Sequence, residues 1–518
     1  MAASAISPDQ FARLCKRCTC LQLISTTPDD ILPKNPPAGE LGGEQEVDLP
    51  WNVTNLGTFV LSQGADRCDC CKFLQSVVLW RNFRNGPVAG AVPMSLHYVF
   101  RQDETVGYGL RALRIRSRLA GGEPFLINCP IAAATDLDMG TSLGLQPPLS
   151  HIDEESILWM KSKLESCVSH NHLNPDKTFI PDRLIDVRGN QLSLVLTKDF
   201  QPRDAGSHRY IALTYCWGPE PHASKQLKTT RDNISQYLRQ IPESSLPQVI
   251  KDAVAVTRAL SIPFLWVDAL CILQDDVSDW EHQCDVMEQI YGNAYTAVAA
   301  VSSQNCEEGF IKRKDRLLFP FRNESGDTRV FGIYPPPNQA DTQQEVPQSP
   351  WIKRGWTFQE RIAATRILMF SKGSLHFDCK DFSNTQGRDE KVDRDYYYIM
   401  LDRETIDSGE TAAIYQQWSK LMAQIKPKAH QLTRKTDFLP SIGGIASLFS
   451  KKLDDDYAAG LWKESMHQSL YWALSTTGKP SLQDLLKALK TPSPYIAPSW
   501  SWASRNEPFR FIPSRSFS

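Results

Sequence analysis

Between Asp182 and about Lys380, apolar runs of strand length alternate with amphipathic helical stretches, and this order restricts the fold more than any other feature of the chain. Strands covered on both faces, each followed by a helix with one apolar stripe, make an α/β layer around a mostly parallel sheet. Tyr210-Ile-Ala-Leu-Thr-Tyr215 is β-rich and stops at Cys216-Trp217-Gly218, which predicts a strand delivering its carboxyl end into a glycine turn. Ser245-Leu-Pro-Gln248 has the form of a capping box with proline in the first turn, and Val249, Ile250, Ala253, Val256 and Leu260 then recur at helical spacing. Pro263-Phe-Leu-Trp-Val267 is an almost unbroken apolar run ending at Asp268, as an interior parallel strand requires. Ser278-Asp-Trp-Glu281 predicts a second capping box, with Trp280, Cys284, Met287, Ile290 and Tyr291 on one helical face, Gly292 as the stop, and a strand over 294–301. After a proline-rich insertion, Arg354-Gly-Trp-Thr-Phe-Gln-Glu360 reads as a helix start, and Arg366–Phe370 with Ser374–Asp378 as a hairpin around Lys372-Gly373.

Outside this core the signals are weaker. The expected organisation is a cysteine-containing, helical or irregular region at 1–180, an α/β core at 181–380 carrying an insertion at 311–350, and a helical, then aromatic region at 381–518. Pro28 to Pro50 is dense in proline and glycine, and the chain closes towards Pro498-Ser-Trp-Ser-Trp502. At 518 residues there is material for two to four lobes of about 150 residues. With 41% hydrophobic and 22% charged residues, most of the chain is expected to fold. Lys+Arg 57 against Asp+Glu 59 leaves a net charge of -2, so no long-range positive field gathers nucleic acid or an anionic membrane. The first residues lack an apolar targeting segment, and no stretch of about 18 apolar residues occurs, so neither secretion nor membrane spanning is expected and the cytoplasm is the default compartment. Thirteen cysteines, an odd number, then read mostly as free thiols.

Ligands of open α/β sheets bind beyond the carboxyl ends of the strands. Tyr215, Trp217 and Gly218, then Asp268 with Cys271 and Gln274, then Arg354, Trp356, Gln359 and Glu360 are aimed at that edge. Gly218 lets backbone approach a ligand, Trp217 offers a stacking face, and an acid near Trp356 and Arg354 is open to a shifted pKa in either direction. Each has a packing alternative: Tyr215 and Trp217 as core aromatics, Asp268 as a helix cap, Glu360 as a solvated charge, Cys271 as a small buried hydrophobe. Cys15-x-x-Cys18 and Cys68-x-x-Cys71, with Cys20 and Cys70 in addition, supply the ligand set of a structural zinc site or, equally, thiols buried between two helices marked by Phe11, Leu14, Leu74, Val77 and Val78.

These blocks together resemble the fungal heterokaryon incompatibility (HET) domain. The resemblance rests on Tyr210-Ile-Ala-Leu-Thr-Tyr-Cys-Trp-Gly218, Leu246-Pro247 with Asp252-Ala253, Leu265-Trp-Val-Asp-Ala-Leu-Cys-Ile-Leu-Gln-Asp275, Met287 with Tyr291 and Asn293-Ala294, and Arg354-Gly-Trp-Thr-Phe-Gln-Glu360. Thr214 stands where the family usually has serine, and Arg183–Val187, Tyr457–Trp462 and Pro498–Ala503 add weaker likeness. The resemblance implies non-self recognition that ends in programmed cell death, and a core remotely similar to the flavodoxin-like Toll/interleukin-1 receptor (TIR) domain. Some TIR domains cleave NAD at the nicotinamide-ribose bond with a glutamate in a WxxxE helix, a spacing that Trp356 and Glu360 match. By that analogy Glu360 is catalytic, Tyr215, Trp217, Gly218, Asp268, Arg354 and Trp356 bind substrate, NAD is the substrate and no cofactor is required. The implied partners are further copies of the chain or an incompatibility partner protein. The competing expectations are a non-catalytic death-signalling module that self-assembles and, more remotely, a cysteine hydrolase using Cys271 or Cys216.

Overall fold

The computed structural model of the chain describes residues 11–15, 18–21, 44–49, 68–71, 73–74, 94–103, 107–118, 124–133, 150–168, 179–200, 208–312, 317–322, 328–333, 346–347, 349–372, 374–386, 400–425, 432, 435–474, 483, 496–504 and 509–511. Most of the Pro28–Pro50 segment, the proline run after Tyr334, Val77, Val78 and Gly373 lie outside them. The chain divides into two compact units, 1–148 with 314–339, and 149–313 with 340–518, where the sequence suggests three stretches.

The first unit is a six-stranded sheet. Its strands are β1 (Glu44–Asp48), β2 (Met94–Asp103), β3 (Gly107–Arg118), β4 (Pro124–Ala133), β10 (Leu317–Arg322) and β11 (Thr328–Ile333), ordered β1-β2-β3-β4-β11-β10 with antiparallel pairing throughout. This corrects the helical or irregular expectation for the N-terminal region. Leu96, Tyr98 and Phe100 on β2, Leu113 and Ile115 on β3, and Ile127, Cys129 and Ile131 on β4 alternate into one core, the period-two pattern of a sheet with one buried face. Charged residues mask that period in the sequence: Arg114 bonds Asn128 at 2.7 Å and pairs with Glu46, which also holds Arg116. The segment read as an insertion supplies β10 and β11.

The second unit holds an eight-stranded mixed sheet of β5 (Arg183–Asp186), β6 (Ser193–Leu196), β7 (Tyr210–Thr214), β8 (Phe264–Trp266), β9 (Thr296–Ala299), β12 (Arg366–Phe370), β13 (Leu375–Cys379) and β14 (Ser383–Thr385). Their order is β14-β13-β12-β9-β7-β8-β5-β6. The central four, β12, β9, β7 and β8, are parallel, and an antiparallel group flanks them at each end. The β12–β13 hairpin stands where the sequence places it. Every residue of β7, β8 and β9 is buried, as expected for strands covered on both faces. Each large apolar side chain hidden there contributes about 1.5–3 kcal/mol. Helix Gln248–Ala259 connects β7 to β8 and helix Val277–Asn293 connects β8 to β9, and the right-handed rule for parallel crossovers assigns the two to opposite faces.

Both proposed capping boxes fail. Helix Gln248–Ala259 starts after an extended Pro247, with Ser245 in the preceding 3-10 turn and no side-chain cap. Helix Val277–Asn293 is capped by Asp276, whose carboxylate accepts from the Ser278 and Asp279 amides, and it runs through Gly292. In each case the capping position lies off the Ser-x-x-Glu/Gln frame, because an extended Leu246-Pro247 and a better-placed acid determine where the helical dihedrals begin.

Helices Thr411–Met422 and Gly443–Leu453 form a second core with Trp462, Trp502 and the outward side of helix Thr357–Ala363, through Phe358 and Ile362. The indoles of Trp418 and Trp502 both donate to the Gly460 carbonyl, at 3.1 and 3.2 Å. Gly460 has a φ of +95, and a Cβ there would lie 2.8 Å from the Trp502 ring, so only glycine serves. Gln359 extends the clamp by accepting from the Ile445 amide at 3.1 Å. The C-terminal region thus fixes helix Thr357–Ala363 from outside while its other side faces the sheet. Among the described residues, no helix is long and apolar enough to cross a membrane.

Candidate functional site

β7 ends at Thr214, a buried polar residue closing an apolar strand. Its hydroxyl donates to the Glu360 carboxylate and accepts from the Trp351 indole at 2.6 Å. Trp351 is held in turn, because Thr357 Oγ1 donates to the Trp351 and Arg354 carbonyls at 2.8 and 2.7 Å and so winds the turn that opens helix Thr357–Ala363. Glu360 lies in the first turn of that helix and is only 4% exposed. The Arg354 guanidinium donates to the Tyr215 carbonyl, one residue beyond Thr214.

Asp268 follows β8. It accepts from the Trp217 indole at 3.0 Å and from the Ala269 amide at 2.7 Å. Beside it the Tyr215 phenol is pushed well above its ordinary pKa by burial and by the Asp268 charge. The chain leaving β9 returns across the end of β7: the Ala300 amide donates to Thr214 O at 3.0 Å, and Cys306 to Trp217 O at 3.3 Å. The three blocks named from the sequence therefore meet at one edge of the sheet.

Burial dominates the electrostatics. It raises the Glu360 carboxyl to about 7, against the pull of the Arg354 charge and the Thr214 hydrogen bond, with Asp268 adding repulsion. Asp268 is raised by the same desolvation, partly offset by Arg354. Two carboxyl groups, buried Glu360 and half-buried Asp268, thus share the half-buried Arg354 guanidinium, and the cluster retains a proton close to neutral pH. The thiols behave differently, with Cys216 pushed up to about 11 and Cys271 to about 12 by burial. Both stay protonated at neutral pH, and thiols in that state are poor nucleophiles.

Trp217 is partly buried, and the Lys228 ammonium lies 5.1 Å from its ring centroid. Gly218 has a φ of +86, and a Cβ there would fall 2.4 Å from Asn305 Cβ, so the space left by the missing side chain is filled by Asn305. Trp356 and Glu360 are linked through the backbone, but the Trp356 ring meets Trp280 edge-to-face at 6.0 Å. Gln274 donates to the Asp268 and Ile272 carbonyls at 3.1 and 3.2 Å and closes the turn after β8. Sequence reasoning missed Thr214 and Trp351 as site residues. A threonine ending a wholly apolar run was the available signal for the first, whereas Trp351 lies in a turn with no periodic pattern.

Asp268→Ala is expected to lower stability by about 2 kcal/mol, because it strips two donors, the half-buried Trp217 indole and the Ala269 amide, of their acceptor. Asp275→Ala removes an exposed contact to the Arg231 amide and is expected to change stability by less than about 0.5 kcal/mol. Urea denaturation of both variants checks the pair, and equal midpoints would contradict the placement of Asp268.

Cys15, Cys18, Cys68 and Cys71 form a separate cluster in the first unit. Their sulfur atoms all lie within 4.8 Å of one another, an arrangement able to hold a metal ion.

The family model described as heterokaryon incompatibility protein (HET) matches residues 210–360, from the first residue of β7 to Glu360 itself. The chain carries a HET domain, and the matched segment brings together every side chain of the cluster at the sheet edge. That domain points to a function related to heterokaryon incompatibility. Comparison with curated proteins and with solved structures returns no match.

Proposed function

We propose that this chain acts in fungal non-self recognition by hydrolysing NAD at the nicotinamide-ribose bond, with Glu360 as the catalytic carboxylate, and that the NAD loss triggers cell death. One observation carries the reading: a carboxyl group with a pKa near 7 is held by Thr214 at the carboxyl end of β7, next to β9. In chain order the four parallel strands stand 2-1-3-4, the sequence of a flavodoxin-like sheet, and a doubly wound sheet binds ligands at the reversal between its first and third strands. The TIR-like relationship rests on that order and on the WxxxE spacing.

The chemistry suits such a group. When the C1′–N bond breaks, its electron pair neutralises the pyridinium nitrogen, nicotinamide leaves uncharged, and the ribose becomes an oxocarbenium-like cation. A carboxylate in a water-poor site stabilises that charge and takes a proton from the water that adds to C1′, giving ADP-ribose. Arg354 favours the ionised acid, Thr214 orients it, and Asp268 and the Tyr215–Gly218 turn form the surrounding wall. The scheme draws on no cofactor. Assembly with further copies or with an incompatibility partner belongs to this reading as the step that opens the edge to substrate.

The burial of Glu360, Thr214 and Trp351 favours a second reading, in which the same network is a structural tie and the domain signals death by self-assembly. Nicotinamide release by concentrated protein separates the two. Release that is lost in Glu360→Gln and kept in Cys271→Ser supports the enzyme, whereas cell death persisting in a folded Glu360→Gln chain supports assembly. Thr214 gives a finer check. Thr214→Ser keeps the hydroxyl and is expected to leave the pH profile in place, while Thr214→Val removes a bond to the ionised acid and is expected to move the rising limb to higher pH. Identical profiles for the two variants would exclude that role for Thr214.

A further inference from the structure

We propose that Cys15, Cys18, Cys68 and Cys71 bind one zinc ion in a closed tetrathiolate site that joins the segment starting at Phe11 to residues 68–74 within the first unit. The pairs Cys15/Cys18 and Cys68/Cys71 lie about fifty residues apart in the chain, yet their four sulfur atoms gather within 4.8 Å. The Cys15–Cys71 and Cys18–Cys71 sulfur separations are 3.8 and 3.6 Å. With zinc-sulfur bonds of about 2.3 Å, the edge of a regular tetrahedron is about 3.8 Å, so these sulfurs stand where a tetrahedral ion needs them. They are too far apart for a disulfide, whose sulfurs are about 2.05 Å from each other.

The surroundings suit bound thiolates. The Cys68 sulfur accepts from the Cys15 amide at 3.3 Å and from the Cys71 amide at 3.4 Å, the kind of outer contact that fixes a ligand sulfur in place. The two chain segments are also clamped next to the ligands. The Arg13 amide donates to Asp69 at 2.8 Å, the Asp69 amide returns a bond to Arg13 O at 2.8 Å, and the Arg13 guanidinium reaches the same carboxylate at 3.2 Å. Such outer contacts orient first-shell ligands. Cys18 and Cys68 are buried, and the cluster adjoins Phe73 and Leu74 in the core of the first unit. Four soft ligands with no carboxylate or imidazole among them select zinc over magnesium or calcium, and four protein ligands leave no position for a reacting water. The ion is therefore structural, and it links segments whose approach otherwise carries the entropy of closing a long loop.

The test uses the full-length chain purified under reducing conditions without chelator. Metal analysis is expected to find one zinc per chain, and replacement by cobalt is expected to give the intense absorption of tetrahedral thiolate-bound cobalt. Cys15→Ser combined with Cys68→Ser is expected to lose the ion, and Cys271→Ser, in the other unit, to keep it. If the double variant does not fold, the cobalt spectrum of the unaltered chain decides alone. A chain that carries no zinc and gives only the weak spectrum of hydrated cobalt, or one that carries iron with the absorption of an iron-sulfur cluster, overturns the proposal. Neither outcome depends on NAD cleavage.

Discussion

Glu360→Gln is expected to lower nicotinamide release from NAD by about a hundred- to ten-thousandfold, the range over which a positioned acid or base acts. The variant keeps the volume and still accepts a hydrogen bond from Thr214 Oγ1, but it neither carries negative charge against the ribose cation nor takes a proton from water. The same substitution is expected to alter stability with the opposite sign. A glutamate at its ordinary pKa of 4.5 ionises in the unfolded chain well before the folded one, where the carboxyl holds its proton to about 7. The stability tied to the protonated acid is therefore complete below about 4.5 and lost as the pH rises through 7, a difference of about 3 kcal/mol. Above neutrality the glutamine variant is then more stable than the native chain by up to that amount, and the gap closes in acid. An inactive variant that is also less stable at pH 8 would mark Glu360 as a structural strut instead.

Asp252→Ala is expected to destabilise the second unit by about 3–5 kcal/mol, the largest stability effect anticipated here. Asp252 is 3% exposed on helix Gln248–Ala259, and one carboxylate oxygen accepts from the Phe310 amide at 2.6 Å and the Ile311 amide at 3.2 Å. The other accepts from Gln248 Nε2 at 2.7 Å. Alanine leaves two main-chain donors without an acceptor and frees the segment that crosses the end of β7. Asp252→Asn keeps one acceptor oxygen and is expected to lose roughly half as much. Urea denaturation measures both, and a change under about 0.5 kcal/mol for the alanine variant would contradict the assigned role.

The interior of the second unit was legible in the sequence because its strands are apolar on both faces, and runs such as Tyr210–Thr214 and Phe264–Trp266 have few alternatives. The convergence of Tyr215, Trp217 and Asp268 follows from strand ends, since parallel strands send their carboxyl ends to one edge, whereas Arg354 and Glu360 reach that edge from the start of helix Thr357–Ala363, which precedes β12. The partners of Glu360 were not legible. Thr214 meets it across 146 residues of chain, and Trp351 reaches Thr214 from an irregular turn, contacts that no local pattern encodes. The first-unit sheet escaped for another reason. Its exposed face carries Arg116 and Glu46 between the apolar positions, and two of its strands arrive from beyond residue 313. The paired cysteines, in contrast, were legible as two matching short spacings, and the fold brings them together.

Nicotinamide released from NAD by the concentrated full-length chain, followed across pH, tests the central claim most directly. The account predicts a rate that climbs with the ionised fraction of Glu360, with its midpoint near pH 7 and a plateau above, and no such limb in Glu360→Gln. Release no faster than in protein-free buffer at every pH, from a chain shown to be folded and assembled, would contradict it.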